Sequence, residues 1–414
     1  MKIGARSATA AVLISACANG DLPTPGIVRD SAGVTIVQNN ARVWRSGQEW
    51  RIGQELFRIG TGGAAAGQEL HRVAGAVRLS GGAIVIANAG TAELRRYSAD
   101  GRYLGSSGGE GEGPGEFRSL TWIGRTDDDS ILAWDARLLR VSVFSSEGEY
   151  IRTYSPELEE ELVGQRVEGT VGEGRLVMRR GSSFEPVGGG GGVQRQPLTV
   201  WRIDPEGQIE LSIGPFLGET VELRPARNGE GIIRTPVPFG TTTLIGAHAG
   251  RIYVSESSLF DIHVYGPDGT LERRIRRPAD SLPVTASDLT AWIESQLAPL
   301  PPIEEIRAGM RASLERLTPA DFIPVLQTLA LDTEGNLWVE SGRHADSPLA
   351  TYSVFDPGGA WLGDVTLDGS MEVLEIGENG VIVLVRDELD VESVRVLALH
   401  RPGVATSLGP GRQD

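Results

Sequence analysis

Several common chemistries lack their residues in this 414-residue chain. It has one cysteine, Cys17, so no internal disulfide can form. Lysine occurs once, at Lys2, and arginine supplies the rest of the positive charge, a bias that reads as genome composition. The 39 basic residues are outnumbered by 55 acidic ones, giving a formal charge of −16. That balance argues against nucleic acid, whose binding needs cations to displace counterions. No stretch approaches the roughly 18 apolar residues of a membrane-spanning helix. The five histidines show no paired spacing such as HExxH, and no Gly-x-Ser-x-Gly elbow occurs. Gly111–Gly115 is glycine-rich, but no Gly-Lys-Ser/Thr follows, and Glu110, Glu112 and Glu116 would repel a phosphate. Asp127-Asp128-Asp129 lacks the distal glutamate of a calcium loop and reads as a solvated turn.

Glycine is abundant instead, with 55 residues, and so are short apolar runs. The stretch Leu104–Ser155 shows the plan. A glycine-dense loop delivers Phe117, and the runs Leu120–Gly124, Ser130–Asp135, Arg140–Ser145 and Glu149–Ser155 follow. Each has strand length and β-branched or aromatic content, bounded by Gly, Asp or Ser. Four strands in roughly 45 residues make one propeller blade. Residues 56–106 repeat the logic. Later hairpins are marked by Glu147-Gly148, Glu206-Gly207, Asp268-Gly269 and Gly358-Gly359, pairs that supply the positive φ of tight turns. The last unit runs out after three strands near His400, while Trp50–Ile59 is a strand without a unit. Pairing the two closes a ring and removes an exposed edge.

Gly111–Phe117, Ala133-Trp134-Asp135 and Arg140–Phe144 resemble, in order, the glycine-rich lead, the strand end and the RVQVF-like strand of an NHL repeat. The resemblance covers about residues 50–403 and is sharpest in the first two units. It implies an all-β, six-bladed propeller that acts as a binding platform rather than an enzyme. A helical insertion is expected at about residues 281–320, between blades four and five. Its first helix would be capped at Ser287-Asp288, and its second would bury Ile303, Ile306, Met310, Leu314 and Leu317 on one face.

At the N-terminus, Lys2 and Arg6 precede a short apolar segment, and Ile14-Ser15-Ala16-Cys17 resembles a bacterial lipobox. This implies export and a membrane anchor on lipidated Cys17. The expected division is signal and lipobox 1–17, tether and N-terminal segment 18–49, propeller 50–403 and tail 404–414. The partner expected is an envelope protein or extracellular ligand, met by a monomer.

Insertions, at 181–197, 217–239, 281–320 and 341–349, concentrate on the loops between second and third strands and between blades. That face is therefore expected to bind. Aligning the second strands places Asn88, Asp135, Arg180, Glu256, Glu340 and Asp387 around the channel mouth. Phe184, Phe239 and Trp292 are the apolar anchors expected in the long loops. Aspartates at such strand ends also serve to cap turns. No cofactor is expected for a platform. The alternative is a calcium-dependent hydrolase or lactonase, since lactonase-type six-bladed propellers hold calcium with Asp, Asn and Glu in the channel. A zinc site like that of peptidylglycine amidating lyase would need His71, His248 and His344 to converge.

Overall fold

In each unit of the chain, one strand carries an uninterrupted apolar stretch: Ile84–Asn88, Ile131–Asp135, Leu176–Gly181, Arg251–Glu256, Leu337–Ser341 and Gly380–Arg386. Runs of this kind suit strands buried on both faces. In the computed structural model, which describes residues 26–60, 67–157, 165–181, 192–225, 231–298 and 300–402, each run lies inside a sheet of at least four strands.

Among the described residues there are six such sheets. Sheet one runs from Val73 to Gly108 and sheet two from Leu120 to Tyr154. Sheet three spans Arg166 to Pro236, and sheet four is built on Thr243 to Arg276. Sheet five spans Leu326 to Asp368. Sheet six takes Met371–Ile376, Gly380–Arg386 and Glu392–His400, and its fourth strand is Arg51–Ile59 from the other end of the chain. That strand pairs antiparallel from His400↔Arg51 to Val394↔Ile59, as the unpaired strand in the sequence led one to expect.

Each neighbouring pair of sheets encloses its own apolar core. Val85, Phe117 and Phe144 lie between sheets one and two, and Leu132, Met178 and Trp201 between two and three. The series closes with Ile59, Ile86, Leu384 and Val396 between six and one. Burying one such side chain contributes about 1.5–3 kcal/mol, so the cores between sheets hold the ring together. The molecule is an all-β fold of propeller type.

Three expectations need correction. The segment expected as a tether contains strands Ile27–Ser31 and Val34–Gln38. Val34–Gln38 adds in parallel to the outer strand of sheet four, because its Val-Thr-Ile-Val run meets an open edge there. Trp44 is then buried against sheet five. The stretch 217–239, expected as a loop, extends sheet three through Ile209–Pro225 and Ile232–Pro236. In the insertion, helix α1 (Ala286–Leu297) is capped by Thr285, not Ser287, and α2 (Glu304–Leu314) leaves Ile303, Ile306 and Met310 exposed. Only Leu314 and Leu317 of the expected face pack onto Ile293 and Leu297 of the first helix.

Candidate functional site

Where sheets three, four and five meet the helical insertion there is a cavity of about 1020 Å³. It lies at the strand ends that carry the long connections. Its floor comes from the starts of the inner strands, with Glu168 and Leu326 to Leu329, and its roof from α1, with Ala291 and Trp292. Phe239 closes one side. This residue holds a φ of +58° in the turn before sheet four, a conformation that bulky side chains rarely adopt.

The loop after Leu337–Ser341 forms the opposite wall, and its path follows from close packing. Gly342 passes so near the Pro324 carbonyl that a Cβ would lie 2.1 Å from the oxygen. Arg343 then donates from Nη1 to the Ser347 carbonyl (3.1 Å) and from Nη2 to the Gly369 carbonyl (2.7 Å). His344 is thereby turned towards α1. Its Nδ1 lies 2.9 Å from Asp288 Oδ2, and the Ala345 amide donates to Asp288 Oδ1 at 2.7 Å. Asp288 is also the third residue of the helix and closes a capping box with Thr285, whose amide (2.9 Å) and hydroxyl (2.7 Å) donate to Oδ2. Burial works against this charge. Hydrogen bonds from the Thr285 hydroxyl, the Ala345 amide, His344 and the Thr285 amide outweigh it and hold the carboxyl well below the usual range.

Three other carboxylates behave in the opposite way. Glu168 and Glu340 line both this cavity and a deeper one of about 540 Å³, where Glu375 joins them. Burial pushes the Glu340 carboxyl up against the hydrogen bond from Thr328 and the charge of Arg343. It does the same to Glu168 against Arg179 and Arg166. Arg179 Nε lies 2.6 Å from Glu168 Oε1, yet that oxygen has no hydrogen-bond partner, so the approach is close but poorly directed. Glu375 is raised by burial as well, opposed by the Arg78 amide and by the charges of Arg78 and Arg125. The cavities therefore join a firmly ionised aspartate to glutamates biased towards their neutral form.

The residues expected at the channel mouth, as long-loop anchors and as the lipidation site divide. Glu340, Phe239 and Trp292 line the larger cavity. Glu256 lies nearby, with Arg195 Nη1 3.0 Å from its carboxylate. Asn88 and Asp135 are fully buried and serve turns. Asn88 accepts the His71 amide (2.7 Å), and Asp135 accepts those of Arg118, Ser119, Arg137 and Leu138. Asp387 lies past the end of its strand, where it accepts the amides of Leu389 and Val391. Arg180 pairs in register with Thr199, and its side chain lies outside the described residues, as do Phe184 and Cys17. Register explains part of the division. Leu120 pairs with Asp135, and Val73 with Asn88, but the matching partner of Leu326 is Ser341. Glu340 stands one residue earlier and so projects from the other side of the strand.

Sequence reasoning named Asp288 only as a helix cap, and missed Glu168 and the pairing of Asp288 with His344. The spacing Thr285-Ala286-Ser287-Asp288 is a capping-box signature that could have singled out the aspartate. Nothing local links it to a histidine 56 residues on. Among the described residues, no group of three His, Cys, Asp or Glu side chains is arranged to hold a metal ion.

No protein-family model matches this chain, and no curated protein matches it. Solved structures do resemble it. A presumed exported protein from Bacteroides fragilis is 10% identical, covering 89% of this chain and 99% of its own, with a TM-score of 0.48. A member of the DUF4221 family from Bacteroides vulgatus is 9% identical over 85% of this chain and 98% of its own, at 0.49. Virginiamycin B lyase from Staphylococcus aureus is 10% identical over 85% and 100%, at 0.40. At these values none of the likenesses bears on activity, and the propeller architecture stands on the sheet topology itself.

Proposed function

We propose that this chain is a six-bladed, NHL-like β-propeller, exported and anchored at the bacterial envelope through Cys17, that binds a ligand or partner through its long-loop face. The cavity of about 1020 Å³ carries this reading. Its volume is in the range of sites that enclose a small organic ligand. Its walls pair apolar surface, from Trp292, Phe239, Ile323 and Leu326, with a few convergent polar groups. The left-handed backbone of Phe239 adds to the case, since strain of this kind persists where surrounding structure holds a side chain in a working position. The alternative, a calcium-dependent hydrolase or lactonase, predicts a stoichiometric divalent ion on the purified protein and activity lost on chelation.

Thermal-shift screening of the full-length protein against a small-molecule set tests the reading. Compounds that stabilise the wild type should lose their effect on a Trp292→Ala/Phe239→Ala double variant whose own melt stays cooperative. Equal stabilisation of both proteins would remove the cavity from consideration. For the anchor, Cys17→Ala should move the protein from the detergent phase to the aqueous phase of a detergent extraction. Lipid chains are what hold such a protein at a membrane, and partition of both proteins into the aqueous phase would dismiss the anchor.

A further inference from the structure

We infer that His344 is a general base in this cavity, held by Asp288 as its positioning residue, and that the ligand it acts on is a small ester with an apolar body. The inference rests on the reading of the cavity as a ligand site and adds a reaction to it.

The orientation of the imidazole comes first. Asp288 is buried, with 1% of its side chain exposed, and its two oxygens already accept from the Thr285 amide and hydroxyl and from the Ala345 amide. An ionised carboxylate only accepts, so the His344 nitrogen 2.9 Å away must donate. The neutral ring then carries its hydrogen on Nδ1 and its lone pair on Nε2. Among the described residues, no hydrogen bond reaches Nε2. The ring is about one-third exposed and lines the cavity, so the lone pair is open to whatever enters. A histidine whose distal nitrogen is fixed by a buried carboxylate, with its other nitrogen facing a pocket, has the arrangement of a general base.

The surroundings narrow the chemistry. Trp292 and Phe239 offer apolar and aromatic surface for the body of a ligand. Glu340 lines the same cavity, where its Oε2 accepts from the Thr328 hydroxyl at 3.2 Å, and adds polar surface to the apolar walls. The reaction balances without a co-reactant other than water. Nε2 takes a proton from a water molecule, whose oxygen attacks the ester carbonyl carbon as the C=O π pair moves to oxygen. Asp288 stabilises the imidazolium. Collapse of the oxyanion breaks the C–O bond, and the imidazolium returns its proton to the departing alkoxide. Ester and water give carboxylic acid and alcohol, and the base is restored.

The test uses full-length protein with 4-nitrophenyl butyrate as probe. Wild type should hydrolyse it faster than an equal concentration of free imidazole, and His344→Gln should lose about 100-fold or more, the usual worth of a general base. Glutamine can still donate to Asp288, so this variant keeps the tie between loop and helix and should melt as wild type does. His344→Ala should recover part of the rate on adding imidazole. Asp288→Asn should shift the ring towards the Nε2–H tautomer in 15N NMR, a signature that a purely structural contact would not show. Wild type no faster than imidazole, or His344→Gln at the wild-type rate, overturns the inference. If the product 4-nitrophenol still quenches tryptophan fluorescence in wild type but not in Trp292→Ala/Phe239→Ala, the cavity remains a ligand site without the reaction. If quenching is the same in both, the binding reading falls as well.

Discussion

In sheet two, the carboxylate at the end of the second strand accepts four backbone amides and has no exposed surface. In sheet five, the nearest carboxylate is Glu340, one residue before the corresponding position, and it opens onto a cavity. The two sheets share strand order, hairpin direction and a bulge in the inner strand, between Leu120 and Trp122 in one and between Leu326 and Thr328 in the other. The difference lies in what each acidic side chain meets. Asp135 closes a short connection, where every nearby amide needs an acceptor. Glu340 borders a cavity that residues of α1 and the following sheets line together. A regular propeller thus commits its strand-end carboxylates to turns, and a cavity opens where insertions hold the loops apart.

Substitutions at three carboxylates sharpen this contrast. Asp135→Ala should have the largest effect, a loss of about 4 kcal/mol in chemical denaturation, because four amides in and beside the core lose a charged acceptor together. Ligand binding per folded molecule should be unchanged, and a binding loss at full stability would return Asp135 to the channel mouth. Asp387→Ala removes a similar turn acceptor from an exposed position and should cost about 1 kcal/mol, since water can satisfy the amides of Leu389 and Val391. An effect as large as that at Asp135 would contradict the role given to burial.

Glu340→Gln should produce the smallest change and the only gain. Burial raises the Glu340 pKa in the folded chain. The folded form therefore keeps a proton over a range in which the unfolded form has lost it. Stability from this group is complete below the ordinary glutamate value and declines as pH rises through the raised folded one. The glutamine variant lacks that decline. Its melting temperature should exceed that of wild type at pH 8 and approach it near pH 4, whereas a greater advantage at pH 4 would show that Glu340 is held ionised.

How much of this was legible beforehand depends on the range of the interaction. The apolar runs from Ile131 to Phe144, and the orphan strand ending at Ile59, were visible because strand patterning and edge pairing are properties of short segments. The hairpin at Ile27–Gln38 was missed since its partner, Leu271–Arg276, lies more than 200 residues away. Sequence spacing of the second strands sets Glu340 in line with Asp135, whereas the paired register places it one step off.

By itself, the sequence determined an all-β chain of repeated four-strand units, because turn chemistry and hydrophobic period act over a few residues. Tertiary structure alone decided which polar groups line the cavity. The pairing of Asp288 with His344 depends on where a helix lands on a loop 56 residues further along. The bias of Glu340 towards neutrality depends on how many neighbours exclude water from it. Both are set by the packing of whole sheets and helices, which no local pattern encodes.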